Sequence, residues 1–204
     1  MAQEILPLAQ QVEAPLPGLW SWCGYSTLHK FVLTSHAVET QGGIVVIDPI
    51  PLTQIASVPF NYRLDVQAIV ITNVNHYRAT DDWNKLGKIY THSDDLVSDG
   101  RVKRIPLVPN DFFGLQAHPL VGGAQGEVAL FDESKKLMIM GDGLINSLER
   151  GLELLPSKYC QNQVLLKNNL KPLLILNFDN MVFAHGNAIV GGAKERLRDL
   201  LKGD

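Results

Sequence analysis

One stretch constrains this chain more than any other. Residues Ile69–Thr80 read Ile-Val-Ile-Thr-Asn-Val-Asn-His-Tyr-Arg-Ala-Thr. The first half, with Ala68, is short, apolar and β-branched, the pattern of a strand buried on both faces. The second half loads Asn73, Asn75, His76, Tyr77 and Arg78 into the turn that leaves that strand. A strand buried on both faces needs a layer on each side of its sheet. Polar groups just past its carboxyl end stand where α/β proteins build sites. The plainer reading is that Asn and His cap the strand and satisfy loop backbone.

At 204 residues the chain is expected to form one domain spanning 1–204, long enough to bury a substantial core. The hydrophobic fraction of 46% and charged fraction of 19% are those of a globular protein. The net charge of −3 and short basic groups such as Arg101, Lys103 and Arg104 argue against a nucleic-acid partner. Met1–Gly18 lacks a basic start and is broken by Pro7, Pro15 and Pro17, so neither signal peptide nor membrane span is expected there. Cys23 and Cys160 are expected as buried free thiols in a cytoplasmic protein.

Along the chain, residues 1–17 read as an irregular or edge segment. Strands are expected at Leu19–Trp22, Leu28–Thr34, Ile44–Ile47, Val66–Ile71 and Lys88–Thr91. A short helix runs from Thr80 through Leu86, with Thr80-Asp81-Asp82 at its start. Val102–Leu107, Leu115–Leu120, Glu127–Phe131 and Leu137–Met140, spaced by turn residues, predict a four-strand antiparallel meander. Lys158–Leu170 predicts a helix, Leu173–Leu176 and Asn180–Ala184 predict strands, and Ala188–Lys202 predicts an amphipathic terminal helix. Strands first, then strands interleaved with helices, give sheets packed together with helices outside.

With these pieces placed, the chain resembles the metallo-β-lactamase superfamily of metal-dependent hydrolases, from about Gly18 to the C-terminus. Gly42–Pro49 is similar to the family's early strand ending in Asp-Pro, and Ile69–Thr72 to the strand before its Thr-His-x-His-x-Asp-His motif. Gly122–Phe131 is similar to the segment with a lone His. Met140-Gly141-Asp142 is similar to the strand end carrying a metal-bridging Asp, and Ala184-His185-Gly186 to the final His ligand. The resemblance implies an α+β fold, a four-layer αββα sandwich, with a metal site at one edge of the paired sheets.

The family motif is degraded here. Its two His positions fall on Asn73 and Asn75, its Asp on Tyr77 and its last His on Arg78. Gly123 stands where the lone His belongs, and only Asp142 and His185 survive. Amide oxygens are poor zinc ligands. A fixed cation ~4 Å from a divalent ion costs on the order of 8 kcal/mol at an effective dielectric of 20. The resemblance thus implies a hydrolase-like protein whose paired-metal site is mostly lost, with no cofactor expected. The remnant pocket (Asn73, Asn75, His76, Tyr77, Arg78, Asp142 and His185) would bind a small molecule or protein. Asp48 would tie down its loop behind that pocket. Arg78 or its Asn neighbours are expected to pair with Asp142, which would otherwise be a buried lone carboxylate. The alternative is a bulge that aims His76 at Asp142 and His185. Those three would hold one zinc or other divalent ion in an active mononuclear hydrolase.

Overall fold

The computed structural model describes residues 5–53, 66–107 and 112–203. Met1–Glu4, the start of the expected irregular segment, lies outside them. The thirteen described strands are β1 (Glu13–Leu16), β2 (Leu19–Ser26), β3 (Phe31–Thr40), β4 (Gly43–Ile47), β5 (Val66–Ile71), β6 (Lys88–Thr91), β7 (Val102–Arg104), β8 (Gln116–Pro119), β9 (Val128–Asp132), β10 (Leu137–Met140), β11 (Leu144–Ser147), β12 (Gly151–Leu154) and β13 (Asn180–Phe183). Strands β1 to β7 form one sheet in chain order, antiparallel up to β4 and parallel from β4 to β7. A second sheet has the order β13-β10-β9-β8, with β13 parallel to β10, and β11–β12 is a separate hairpin.

Alternation along the strands divides the core. Val45 and Ile47 of β4 and Ala68 and Val70 of β5 face Val128, Leu130, Leu137, Ile139 and Val182 of the second sheet. Ile44, Val46 and Ile69 turn outward to Trp22, Leu33, Ala37 and Ile50. Trp83, on the short helix Thr80–Trp83, stacks on Trp22 with ring centroids 5.5 Å apart. Met138 and Met140 point outward from β10 into a cluster with Leu166 and Leu170 of the helix Gln163–Leu170 and Leu197 and Leu201 of the helix Ala193–Lys202. Helices therefore lie outside both sheets, the αββα arrangement expected, and strands covered on both faces read as unbroken apolar runs.

Four expectations are corrected. Val102–Leu107 does not start a meander: β7 pairs parallel with β6 in the first sheet, and only β8 to β10 are antiparallel neighbours. Leu173–Leu176 is not a strand. The chain continues from the helix Gln163–Leu170 into a 3-10 turn, Lys171–Ile175, whose Pro172 sits in the first turn where no donor is needed. The terminal helix begins at Ala193, because Gly191 and Gly192 adopt left-handed backbone (φ 80° and 71°). The thiols also differ from expectation: both are free, but Cys23 is exposed and Cys160 half-buried. No helix among the described residues is long and apolar enough to cross a membrane.

One end of the sandwich is stitched shut by backbone bonds. Thr34 N–H donates to Ala184 O (2.9 Å), Val128 N–H to Thr72 O (2.9 Å) and Val74 N–H to Gln125 O (3.1 Å). His36 Nε2 lies 3.0 Å from Phe183 O, and its Nδ1 lies 2.8 Å from Ser21 Oγ. The carboxyl ends of β4, β5, β10 and β13 are thereby gathered at one corner.

Candidate metal centre

Each functional side chain at this corner follows a strand end. Asp48 follows β4, with a left-handed backbone (φ 49°) that turns its carboxylate back under β5. Its Oδ1 accepts Thr72 N–H at 2.8 Å, and its Oδ2 accepts the Thr72 hydroxyl at 2.6 Å. After β5, Asn73 caps a single 3-10 turn, Val74–His76, its Oδ1 accepting Asn75 N–H at 2.9 Å. That turn folds His76 back into the corner. Its Nδ1 then lies 2.8 Å from Asp48 Oδ2, and its Nε2 lies 3.1 Å from Asp142 Oδ1.

Asp142 follows β10 and His185 follows β13. His185 Nε2 lies 3.0 Å from the same Asp142 Oδ1, and its Nδ1 lies 2.9 Å from Val32 O. The side chains of Asp142 and His185 are 10% and 11% exposed, and that of His76 only 3%. His76, Asp142 and His185 present one ligand atom each, all within 4.8 Å of one another. Among the described residues this is the group with the composition and closeness of a metal centre.

The rest of the expected pocket divides. Asn73 joins the corner, its Nδ2 reaching Asp142 Oδ2 at 3.1 Å. Arg78 does not pair with Asp142. Its left-handed backbone (φ 41°) aims the guanidinium at backbone instead, where Nη1 donates to Thr34 O (2.8 Å) and Asp48 O (3.0 Å). Asn75 is exposed, and Tyr77 turns away to donate to the Asp81 carboxylate at 2.8 Å. The lone-His segment supplies Glu127, which sequence reasoning passed over as the start of a strand. Glu127 is 2% exposed, accepts Gly143 N–H at Oε1 (2.9 Å) and accepts Asn73 Nδ2–H at Oε2 (2.8 Å). Its room comes from Gly141, where a Cβ would sit 2.6 Å from Glu127 Oε1.

Proton positions follow from the partners. The ionised Asp48 carboxylate and the Val32 carbonyl are acceptors only, so Nδ1 of each ring carries the proton. In the neutral rings, both Nε2 lone pairs then converge on one carboxylate oxygen. Such convergence needs either an extra proton or a cation. Burial opposes charge on His76, yet Asp142 and Asp48 outweigh both burial and Arg78 and push it up to about 9. His185 is held below its ordinary value by burial, against the pull of Asp142. Burial and the Asp142 charge push Glu127 up to about 8. Asp142 stays well below the usual carboxylate range because His76 and His185 outweigh its burial.

The sequence matches no protein-family model, and no curated protein matches it. Solved structures do. A metallo-β-lactamase family protein from Thermus thermophilus superposes with a TM-score of 0.63 at 18% identity, over 93% of this chain and 80% of the other. A metallo-β-lactamase from Pontibacter korlensis gives 0.68 at 17% identity, over 95% and 99%. One from Erythrobacter litoralis, with β-mercaptoethanol in its active site, gives 0.68 at 15% identity, over 94% and 95%. At these identities the likeness is one of architecture. Two packed sheets with helices outside, superposing over 93% to 95% of this chain on these three proteins, give it the metallo-β-lactamase fold.

Proposed function

We propose that this protein is a metal-dependent hydrolase of reduced, mononuclear type, holding one divalent cation on His76, Asp142 and His185. The convergence of two Nδ1-anchored imidazoles on one carboxylate oxygen carries the reading. Metal-ligating histidines are oriented in this way, by an oxygen acceptor on the far ring nitrogen. Two imidazoles and a carboxylate suit zinc, and three protein ligands leave a position for water or substrate. When bound, such an ion lowers the pKa of a coordinated water and polarises a carbonyl or phosphoryl oxygen.

The chain's own residues prepare the corner. Asp48, held by Thr72, keeps His76 in the tautomer that exposes Nε2. Val32 O does the same for His185. Arg78 pins the ends of β3 and β4 behind them. The net charge of −3 and the partial exposure of Asp142 and His185 favour a small-molecule substrate over nucleic acid. Two free thiols suit a reducing, cytoplasmic setting.

A second reading rests on the high pKa of His76. As an imidazolium between Asp48 and Asp142 it balances the corner without metal, leaving a binding protein on a retired site. Elemental analysis of protein purified without chelator separates the two. One zinc, iron or manganese per chain is expected, lost together with esterase or phosphodiesterase activity in His185→Ala. Metal-free protein that resists loading sinks the enzyme reading and leaves the second.

A further inference from the structure

Asn73 stands between two carboxyl groups. Its Nδ2 lies 2.8 Å from Glu127 Oε2 and 3.1 Å from Asp142 Oδ2, so its two amide hydrogens serve both. The amide cannot be turned round without loss, because Oδ1 accepts Asn75 N–H. Glu127 is anchored from behind by Gly143 N–H. Asn73, Glu127 and Asp142 are 0%, 2% and 7% exposed. Two buried carboxyl groups on either side of one gap supply oxygen ligands of the kind a divalent cation takes, though two alone are too few to hold one. A neutral group with two donors fills the gap without bringing charge. The same contact occupies Asp142 Oδ2 and leaves only Oδ1 turned to the two imidazoles.

We propose that Asn73, anchored by Glu127, is a positioning residue that makes Asp142 a one-oxygen ligand and limits the centre to a single ion. This rests on the reading of His76, Asp142 and His185 as ligands. The test uses the full chain loaded with Co2+. It reads ions per chain by elemental analysis, affinity by titration and coordination by the visible absorption bands, with metal-free melting curves as the control for folding.

The wild type is expected to hold one ion. Asn73→Asp is expected to hold two, because a third carboxylate replaces the amide that closed the gap. Asn73→Ala is expected to hold one ion 10- to 100-fold more weakly, the usual effect of losing a group that orients a ligand. Its absorption bands should shift as Oδ2 becomes free to coordinate. If Asn73→Asp does not fold, Asn73→Ala decides. Wild-type affinity and bands in Asn73→Ala, or a folded Asn73→Asp with one ion, overturn this inference alone. A wild type that binds no ion overturns the ligand reading with it.

Discussion

Loading the proposed centre on His76, Asp142 and His185 has to displace a proton, and the geometry says from where. A histidine ligates through a neutral ring. His76 Nε2 faces Asp142 Oδ1 at 3.1 Å while Nδ1 is committed to Asp48, and the two carboxylates hold the ring protonated up to about pH 9. His185, held below its ordinary value by burial, is already neutral at pH 7 and has no proton to lose. At pH 7, two units below the His76 value, about one molecule in a hundred has the ring free to ligate. That weakens apparent affinity on the order of 100-fold, or roughly 3 kcal/mol.

Calorimetric titration with Zn2+ measures this directly. In buffers of different ionisation heat, the difference in observed heat counts the protons released per ion, and at least one is expected at pH 7. Between pH 6.5 and 9 the dissociation constant should tighten at least tenfold per pH unit and then level off. Asp48→Asn, which removes one carboxylate from the ring, should move the levelling point to lower pH. An affinity independent of pH, with no proton released, would show that His76 is neutral or is not a ligand.

His36 supplies an acid-side prediction. Burial pulls it down to about 4, so its stabilising effect is present above pH 6.5, the ordinary value, and is lost as pH falls through 4. The loss is about 3 kcal/mol for a shift of this size. Urea unfolding at pH 7 and pH 4 should show a larger drop in the wild type than in His36→Asn, and equal drops would refute it. Arg78→Met removes a charged donor from the carbonyls of Thr34 and Asp48, and should lower unfolding free energy by roughly 2–3 kcal/mol at neutral pH. An unchanged urea midpoint would mean those carbonyls find other partners. Gly141→Ala puts a Cβ 2.6 Å from both Glu127 Oε1 and Thr72 Oγ1, and should cost roughly 1–3 kcal/mol by overpacking. A melting temperature equal to wild type would show that Glu127 moves aside freely.

Much of the sandwich was legible because its central strands are buried on both faces. Val66–Ile71, Lys88–Thr91 and Leu137–Met140 stand where their apolar runs place them. Sheet membership was not legible at Val102, because a short apolar run carries no mark of whether its partner is β6 or β8. Leu173–Leu176 misled for a related reason: four apolar residues after a proline fit a strand and a 3-10 turn equally well. At the corner, Asp142 and His185 could be found from their place after strands. That one of Arg78 and its Asn neighbours pairs with Asp142 could be expected, but that it is Asn73 could not, since the choice turns on a left-handed residue and a one-turn cap. Glu127 was hidden most thoroughly, because a glutamate at a strand start ordinarily faces water. Here Gly141 and Gly143 admit it to the interior.

Glu127 also decides how the corner stays neutral. Without metal, Asp48 and Asp142 are matched by His76 and Arg78, and Glu127, pushed up to about 8, contributes little charge at pH 7. A dication that displaces the His76 proton leaves one positive charge too many. Its presence on Asp142 cancels the carboxylate charge that, after burial, raised Glu127 most. Glu127 should therefore ionise as the ion enters. Proton release should then approach two per ion between pH 6.5 and 8, and fall to one between pH 8 and 9. In Glu127→Gln, which keeps the shape but has no proton to give, release should stay at one throughout. A wild type that releases one proton over the whole range would mean that Glu127 keeps its proton beside a bound ion, and charge balance would not be what governs this corner.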